Sequence, residues 1–229
     1  MAEYLYVYNG KRIEPSSGKV LGKRGDPYNP LGLPPFTIRC KFDPNITPTM
    51  GDSQTLVDAT DNVWDITKNS TDWSELFRYK DSLLGVLGAN TAGVTNMVDM
   101  FLRCSWLTTV PLFDTSSVTN MAGMFQETSL TSVPLLDTSS VTNMNYMFSD
   151  CSALTSVPLL DTSSATGMLG MFLNCTSVES GSLALYQQAS TQATPPSKHD
   201  ICFKNCGSNT VTGAAELAQI PVSWGGTMA

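Results

Sequence analysis

The sequence predicts an α/β fold in which about six units of 23–24 residues stack into a right-handed solenoid behind an extended or β-structured N-terminal segment. Three recurring phrases support this prediction. Val-Thr-Asn-Met starts at Val94, Val118 and Val141 and returns in degenerate form at Ala165, so that the copies are 24, 23 and 24 residues apart. A Met-Phe pair and a Val-Pro-Leu triplet follow the same period. A fixed period of this length is typical of stacked units without a core of their own.

The first half of each unit predicts a short helix. Val118, Met121, Met124 and Phe125 fall at i, i+3, i+6 and i+7, which is the pattern of one buried helix face. Asp-Thr-Ser-Ser precedes this pattern, and side-chain oxygens of these residue types cap helices by accepting backbone N–H bonds. The capping Asp recurs at Asp114, Asp137 and Asp161.

The second half of each unit predicts a short strand. We interpret Leu130, Val133 and Leu135 as an inward-facing strand segment. Pro134 has no N–H to donate to a ladder, so we expect each strand to be only about three residues long.

The ends of the repeated region set the predicted domains. Residues 1–60 form an N-terminal anchoring segment, 61–207 the solenoid and 208–229 a C-terminal cap. The first unit, around Trp73, is degenerate. The last unit is 31 residues long instead of 24, which predicts an inserted helix at about 181–190.

The N-terminal segment predicts strands joined by an arm. Residues 4–8 before Asn9-Gly10 predict a strand that enters a tight turn. Residues 16–35 are rich in Gly and Pro, which is typical of an extended arm. Residues 36–42 alternate as a half-buried strand does. Such a segment suits the gripping of a neighbouring subunit, and equally the covering of the open edge of the solenoid.

The repeat unit resembles the BspA-type leucine-rich repeat. The shared motif is Asp-Thr-Ser-Ser-Val-Thr-Asn-Met-x-x-Met-Phe-x-x-Cys-Ser-x-Leu-Thr-Ser-Val-Pro-Leu, over about residues 63–207. That family occurs on the surfaces of gut and oral bacteria, mycoplasmas and some protists, and it is also encoded by phages and prophages of gut Bacteroidales. The resemblance implies a leucine-rich-repeat solenoid and adhesion or protein binding. It brings no catalytic motif.

Charge is unevenly distributed. Residues 1–41 contain seven Lys or Arg and three acids, whereas residues 94–180 contain Arg103 and seven acids. Nucleic acid is therefore not expected as a ligand, because phosphate contacts need clustered cations. The basic N-terminal part either docks on an acidic partner or is ordinary surface charge.

The sequence at the N-terminus predicts neither a secretory signal nor a membrane span. A virion component is made in the host cytoplasm and released by lysis, so we expect a phage fibre, decoration or host-attachment subunit. The alternative is a bacterial cell-surface adhesin that lacks its export signal. Expected partners are other virion proteins through the N-terminal segment, and a bacterial surface or a host glycan or protein through the solenoid. A homo-oligomer is also expected.

No catalytic residue, cofactor or metal is expected, because a single His leaves no nucleophile–base pair to assemble. Calcium could bridge the aspartates, but nothing in the sequence requires it. The candidate binding surface consists of polar columns, one residue from each unit, at Asp114, Asp137, Asp161, Thr119 and Thr142.

The cysteines predict a buried column. Four of them share one repeat position, at Cys104, Cys151, Cys175 and Cys206. Cys is often buried as a small apolar residue, so we interpret this column as core. His199-x-x-Cys202-x-x-x-Cys206 superficially resembles a zinc site, but both cysteines fall at core positions and no fourth ligand is evident nearby.

Overall fold

The computed structural model describes residues 7–8, 11–12 and 29–228. The predicted fold class, an α/β right-handed leucine-rich-repeat solenoid, is wrong. The regular secondary structure is mostly β: a four-stranded antiparallel sheet, a two-stranded ribbon before it and two short α-helices near the C-terminus. Residues 91–181, which contain the clearest repeats, form turns and isolated bridges and contain neither helix nor strand.

The N-terminal predictions are described only in part. β1 (Val7–Tyr8) pairs antiparallel with β2 (Lys11–Arg12), in agreement with a strand that enters a turn. Residues 4–6 of that predicted strand, the predicted turn at residues 9–10 and residues 16–28 of the predicted arm lie outside the described residues.

The main sheet has the strand order β4-β5-β3-β6, and every neighbouring pair is antiparallel. Strands β3, β5 and β6 supply its buried side chains. Ile38, Cys40 and Phe42 of β3 alternate as buried residues, which confirms the alternating strand predicted at residues 36–42. The edge strand β4 is largely exposed. In chain order the strands are β3 (Thr37–Phe42), β4 (Ser53–Asp58), β5 (Val63–Thr67) and β6 (Leu83–Asn90).

Strand β6 belongs both to the sheet and to the first repeat unit. Leu83 takes the position of three later leucines that are equally buried, Leu107, Leu130 and Leu154. Leu87 is the extra residue of a β-bulge against β3, and prolines take its position in the later units. Because β5 and β6 follow residue 60, the sheet and the repeats share this part of the chain. The domain boundaries stay predictions.

Backbone hydrogen bonds join the units into parallel layers. The Phe125 N–H donates to the Met147 carbonyl at 2.9 Å, and the Phe148 N–H donates to the Met171 carbonyl at 2.9 Å. Parallel bridges join equivalent residues of successive layers, at Asp72, Asn96, Asn120, Asn143, Gly167 and Lys198. Since alternate N–H groups bond to the next layer, they do not make the i→i−4 bonds of a helix.

Backbone dihedrals also exclude the predicted helix. In one unit Asp99 and Arg103 have φ of 53° and 59°, and in the next unit Gly123 and Glu127 have φ of 62° and 56°. A right-handed helix requires negative φ throughout. A pair of left-handed residues four positions apart therefore bends the chain where the sequence predicts a helix.

The inward-facing residues of this segment are nevertheless those predicted. Val118, Met121, Met124 and Phe125 are all fully buried. The burial pattern is confirmed, although the element that produces it is a series of turns.

The predicted inward strand is wrong at one of its three residues. Leu130 is fully buried, but Leu135 is 68% exposed, and the next residue, Leu136, faces the core instead. Pro134 donates no N–H, so neighbouring layers are joined here at isolated residues. One of these is Thr131, whose carbonyl accepts hydrogen bonds from both the N–H and the hydroxyl of Thr155, each at 3.2 Å.

A column of phenylalanine rings runs through the core. Successive rings lie 5.1–5.9 Å apart, with interplanar angles of 2–13°. Phe42 of the sheet lies 6.4 Å from the first ring, and Trp224 lies 6.5 Å from the last. The column therefore connects β3 to the C-terminal region through six buried rings, Phe77, Phe101, Phe125, Phe148, Phe172 and Phe203.

Two helices and a 3₁₀ turn complete the chain. Helix α1 covers Ser182–Ser190, the place of the helix expected at about 181–190. Helix α2 covers Val211–Leu217, and the Thr210 hydroxyl caps it by accepting the Gly213 N–H at 3.0 Å. The 3₁₀ turn covers Val222–Trp224. Among the described residues, no helix has the length and apolar character needed to cross a membrane.

We predict that Phe125→Ala lowers the free energy of unfolding by about 3–5 kcal/mol, because it leaves a cavity between two stacked rings. The control, Leu135→Ala, removes an exposed side chain and should cost no more than about 0.5 kcal/mol. Urea unfolding, monitored by circular dichroism, measures the free energy of unfolding of both variants. Equal effects of the two substitutions would contradict the stacked core.

Candidate functional site

The aspartates of the predicted binding surface lie at outward-facing turns. Asp114 Oδ1 accepts the Ser116 N–H at 3.2 Å and the Ser116 hydroxyl at 2.7 Å. Asp137 accepts the same two bonds from Ser139, at 3.1 and 2.7 Å. These bonds form Asx turns, so the aspartates do not cap helices as the sequence predicts.

Asp161 forms the same kind of turn in the next layer. Its Oδ1 accepts the Ser163 N–H at 2.8 Å, and its side chain is exposed. Hydrogen bonds from the side chain and the backbone of Ser163 hold the pKa of Asp161 below its ordinary value. The ionised carboxylate is therefore the form that this turn favours.

A buried threonine follows each aspartate and sets the register of the column. The Thr115 hydroxyl donates to the Asp137 carbonyl at 2.8 Å, and the Thr138 hydroxyl donates to the Asp161 carbonyl at 2.8 Å. Both threonines are buried. Each hydroxyl thus ties its own layer to the backbone of the next aspartate.

The threonines of the predicted surface form a second exposed column. The Thr142 N–H and hydroxyl both donate to the Thr119 carbonyl, at 2.9 and 3.1 Å. Thr119 makes the same two bonds to Thr95, at 2.9 and 3.3 Å. Because each hydroxyl proton is used between layers, the oxygen faces solvent as an acceptor.

One turn in each layer joins the two columns. The Val118 N–H donates to the Thr115 carbonyl at 2.9 Å, which closes the turn between Asp114 and Thr119. The structure therefore brings the predicted residues into two parallel columns, with one aspartate and one threonine at the ends of each exposed turn.

The sequence did not predict a column of exposed leucines beside the aspartates. Leu135 is 68% exposed and Leu159 is 56% exposed, each two residues before an aspartate. The sequence did carry a signal. Leu135-Leu136 and Leu159-Leu160 are adjacent apolar pairs, and an extended chain can turn only one of two neighbours inward.

A separate charged cluster lies near the first layers. Arg78 Nη1 lies 2.7 Å from Glu75 Oε1, and Arg103 Nε lies 2.7 Å from Glu127 Oε2. Partial burial raises the pKa of Asp99, and the nearby Arg78 opposes this shift. These exposed and half-exposed pairs contribute little to stability.

All six cysteines are free and buried, which confirms the predicted buried column. Cys151 Sγ donates to the Phe125 carbonyl at 3.0 Å, and burial raises its pKa to about 11. Burial likewise raises the pKa of Cys104 to about 12. Thr128 takes the column position in the layer between Cys104 and Cys151, with its hydroxyl 3.3 Å from Cys151 Sγ.

The apparent zinc motif is divided between core and cap. Cys202 and Cys206 are buried, whereas the His199 ring stacks on Trp224 with centroids 4.2 Å apart. Within residues 29–228 and the two short strands before them, no group of three or more His, Cys, Asp or Glu residues is placed to hold a metal ion.

Comparison with protein families matches the chain to a family described as "Mycoplasma protein of unknown function, DUF285", at residues 50–131 and 108–194. Together these ranges span more than half of the chain, so the chain belongs to this family of BspA-like repeat proteins. Comparisons with curated proteins and with solved structures find no match.

We predict a pH-dependent contribution from the Asp161 turn. The pKa of Asp161 is lower in the folded chain than the roughly 3.9 of an unfolded one. The stabilisation is therefore present above about pH 4 and is lost as the pH falls through the folded pKa. Asp161→Ala should be less stable than the wild type at pH 7, and the difference should shrink as the pH falls below about 4.

The matched control is Asp200→Ala, because the exposed Asp200 carboxylate accepts no hydrogen bond from the described residues. Urea unfolding at several pH values measures both variants. A difference between Asp161→Ala and the wild type that stays constant from pH 7 to pH 2.5 would disprove the role of the ionised carboxylate.

We predict that the native thiols resist modification. At pH 8 a thiol with a pKa of about 11, such as that of Cys151, is almost entirely protonated, and it is also buried. An aromatic disulfide reagent should therefore label no cysteine of the native chain within an hour, and all six after unfolding in guanidinium. Ser152→Cys, at an exposed position, should label within minutes as a positive control. Rapid labelling of the unaltered native chain would refute this prediction.

Proposed function

We propose that this chain is a non-enzymatic structural or adhesion subunit of a virion, in a fibre, a decoration or a host-attachment device. In this proposal its repeat surface binds a bacterial surface or a host glycan or protein. The observation that carries the proposal is the regular display of exposed polar side chains, one set from each layer, on a backbone tied from layer to layer.

The geometry favours multivalent binding. Stacked rings 5.1–5.9 Å apart give the distance between layers, so equivalent exposed side chains recur at about that interval. The Thr119 and Thr142 oxygens are held by bonds between layers and need little further ordering on binding. Several weak contacts made at once by a repetitive ligand add to a useful affinity.

The cysteines support assembly inside a cell. Six free, buried thiols suit a chain that folds in a reducing compartment, as a virion subunit does before lysis. The resemblance of the repeats to those encoded by gut phages and prophages points the same way. The N-terminal segment would then attach the subunit to other virion proteins in a symmetric oligomer.

The alternative is a bacterial cell-surface BspA-like adhesin. Membership of a family described from mycoplasmas favours it. Mass spectrometry of purified phage particles and of bacterial envelope fractions, each from a strain that carries the gene, decides between the two. Recovery of the chain in envelopes and its absence from particles would overturn the virion assignment.

We predict that binding to gut Bacteroidales cells depends on the threonine column. Thr119→Arg combined with Thr142→Arg places two large cations on the column and should reduce the binding of the fluorescently labelled full-length chain at least tenfold. Flow cytometry measures the bound label.

The control combines Thr194→Arg with Thr212→Arg, which changes two exposed threonines outside the column and should alter binding less than twofold. Circular dichroism verifies that both variants fold. Unchanged binding by the column variant, or an equal loss in the control, would mean that the column is not the adhesive surface.

A further inference from the structure

Three leucines form an apolar strip across successive layers, here named the leucine ridge: Leu112, Leu135 and Leu159. Leu135 and Leu159 are 68% and 56% exposed, and Leu112 is half-buried. The remaining leucines of the same segments are buried, so the ridge leucines differ from their neighbours in facing outwards. Contiguous exposed apolar side chains commonly mark a site of interaction.

In the first layer, the chain itself covers the corresponding position. Gly88 stands where the later units have a ridge leucine, and Leu31 lies directly over it. A Cβ atom at Gly88 would lie 2.6 Å from Leu31 Cδ1, so the glycine makes room for that side chain. The same segment is held by Asn90, whose Nδ2 donates to the Leu33 carbonyl at 2.9 Å.

This contact shows what kind of segment fits the strip. Leu31 and Leu33 are two residues apart, and Leu33 is buried. The chain turns here, since the Gly32 N–H donates to the Asn29 carbonyl at 3.1 Å. A short turn with apolar side chains two residues apart thus packs on the first layer, and its Leu33 carbonyl accepts a hydrogen bond from the Asn90 side chain of β6. The ridge continues the same line into layers that no described segment covers in this way.

Helix α1 occupies the other end of the line. Leu183, 24 residues after Leu159, is half-buried against the core, and the Gln188 amide donates to the Leu160 carbonyl at 2.8 Å. The described residues therefore cover the strip at both ends, and among them Leu135 and Leu159 of the middle layers stay exposed.

The charges beside the ridge indicate the charge of its partner. Asp137 and Asp161 lie two residues after the ridge leucines, and both are exposed. Residues 94–180 contain a single basic residue, Arg103, and it pairs with Glu127. The aspartates beside the ridge are therefore not neutralised by this part of the chain, and a cationic partner would relieve their mutual repulsion.

We propose that the leucine ridge and its flanking aspartates bind a basic peptide segment of a partner protein, with apolar side chains at alternate positions. This inference rests on the proposed function, since it names a partner for the repeat surface. The apolar side chains pack on Leu135 and Leu159, as Leu31 packs on Gly88, and Lys or Arg side chains between them reach Asp137 and Asp161.

The test uses the full-length chain and three synthetic ten-residue peptides with alternating residues: Leu-Lys, Leu-Glu and Ser-Lys. Calorimetric titration at low salt should show binding of the Leu-Lys peptide and at least tenfold weaker binding of the other two. Leu135→Ser combined with Leu159→Ser should weaken Leu-Lys binding at least tenfold. Val211→Ser combined with Val222→Ser, at two exposed valines elsewhere, should change it less than twofold.

The charge contribution is tested by Asp137→Asn combined with Asp161→Asn. This variant should bind the Leu-Lys peptide at least threefold more weakly than the wild type at low salt, and about equally in 0.5 M salt. The control, Glu179→Gln combined with Asp200→Asn, removes two exposed acids outside the site and should leave the affinity within twofold.

Three results would overturn the proposal. The Ser-Lys peptide could bind as tightly as Leu-Lys, the ridge variant could retain full affinity, or the wild type could be a dimer that the ridge variant dissociates, which would make a second copy the occupant. If any of these results occurs while cell binding still depends on Thr119 and Thr142, the ridge proposal fails and the proposed function stands. If the wild type binds neither the Leu-Lys peptide nor the cells, both proposals are rejected.

Discussion

The hydrogen bonds between layers are the interaction on which the rest of this structure depends. A single unit of 23–24 residues is too small to bury a core, so its apolar side chains find partners only above and below. The backbone provides the register: the Phe125 N–H reaches Met147 and the Phe148 N–H reaches Met171, both at 2.9 Å. Because these bonds repeat, the phenylalanine rings meet nearly face to face, and each stacked pair adds to the burial of its neighbours.

The same register places identical exposed side chains above one another, with a cost and a benefit. Aspartates about 5 Å apart repel by about 0.8 kcal/mol per adjacent pair in water. The Asx-turn bonds that Asp114 and Asp137 accept from the following serines, together with solvent screening, offset this repulsion. The benefit is a surface whose spacing is set by the backbone. A repetitive ligand can therefore match it without much reordering of the protein.

The sequence predicts which residues are buried better than it predicts the backbone that buries them. The period and the apolar spacing identify Phe125 and its neighbours as core, and the structure agrees. The helix prediction failed because the spacing i, i+3, i+6 and i+7 also fits a turn sequence with left-handed residues. Arg103 and Tyr146 carry no signal of positive φ, which is uncommon for such side chains. Of the candidate surface, the aspartates and threonines were foreseen. The leucine ridge was not, because Leu135 and Leu136 are equally apolar.

Other parts of the chain cover both ends of the stack of layers. At one end β3 pairs with β6, and Phe42 lies against the first ring of the column. At the other end the Trp224 carbonyl accepts the Phe203 N–H at 2.9 Å, as a further layer would. Uncovered end layers would expose unpaired backbone groups and apolar side chains, on which strands or repeats of other molecules could aggregate. With the two ends closed, the open faces of the stack are lateral, where the polar turns and the exposed leucines of the middle layers lie.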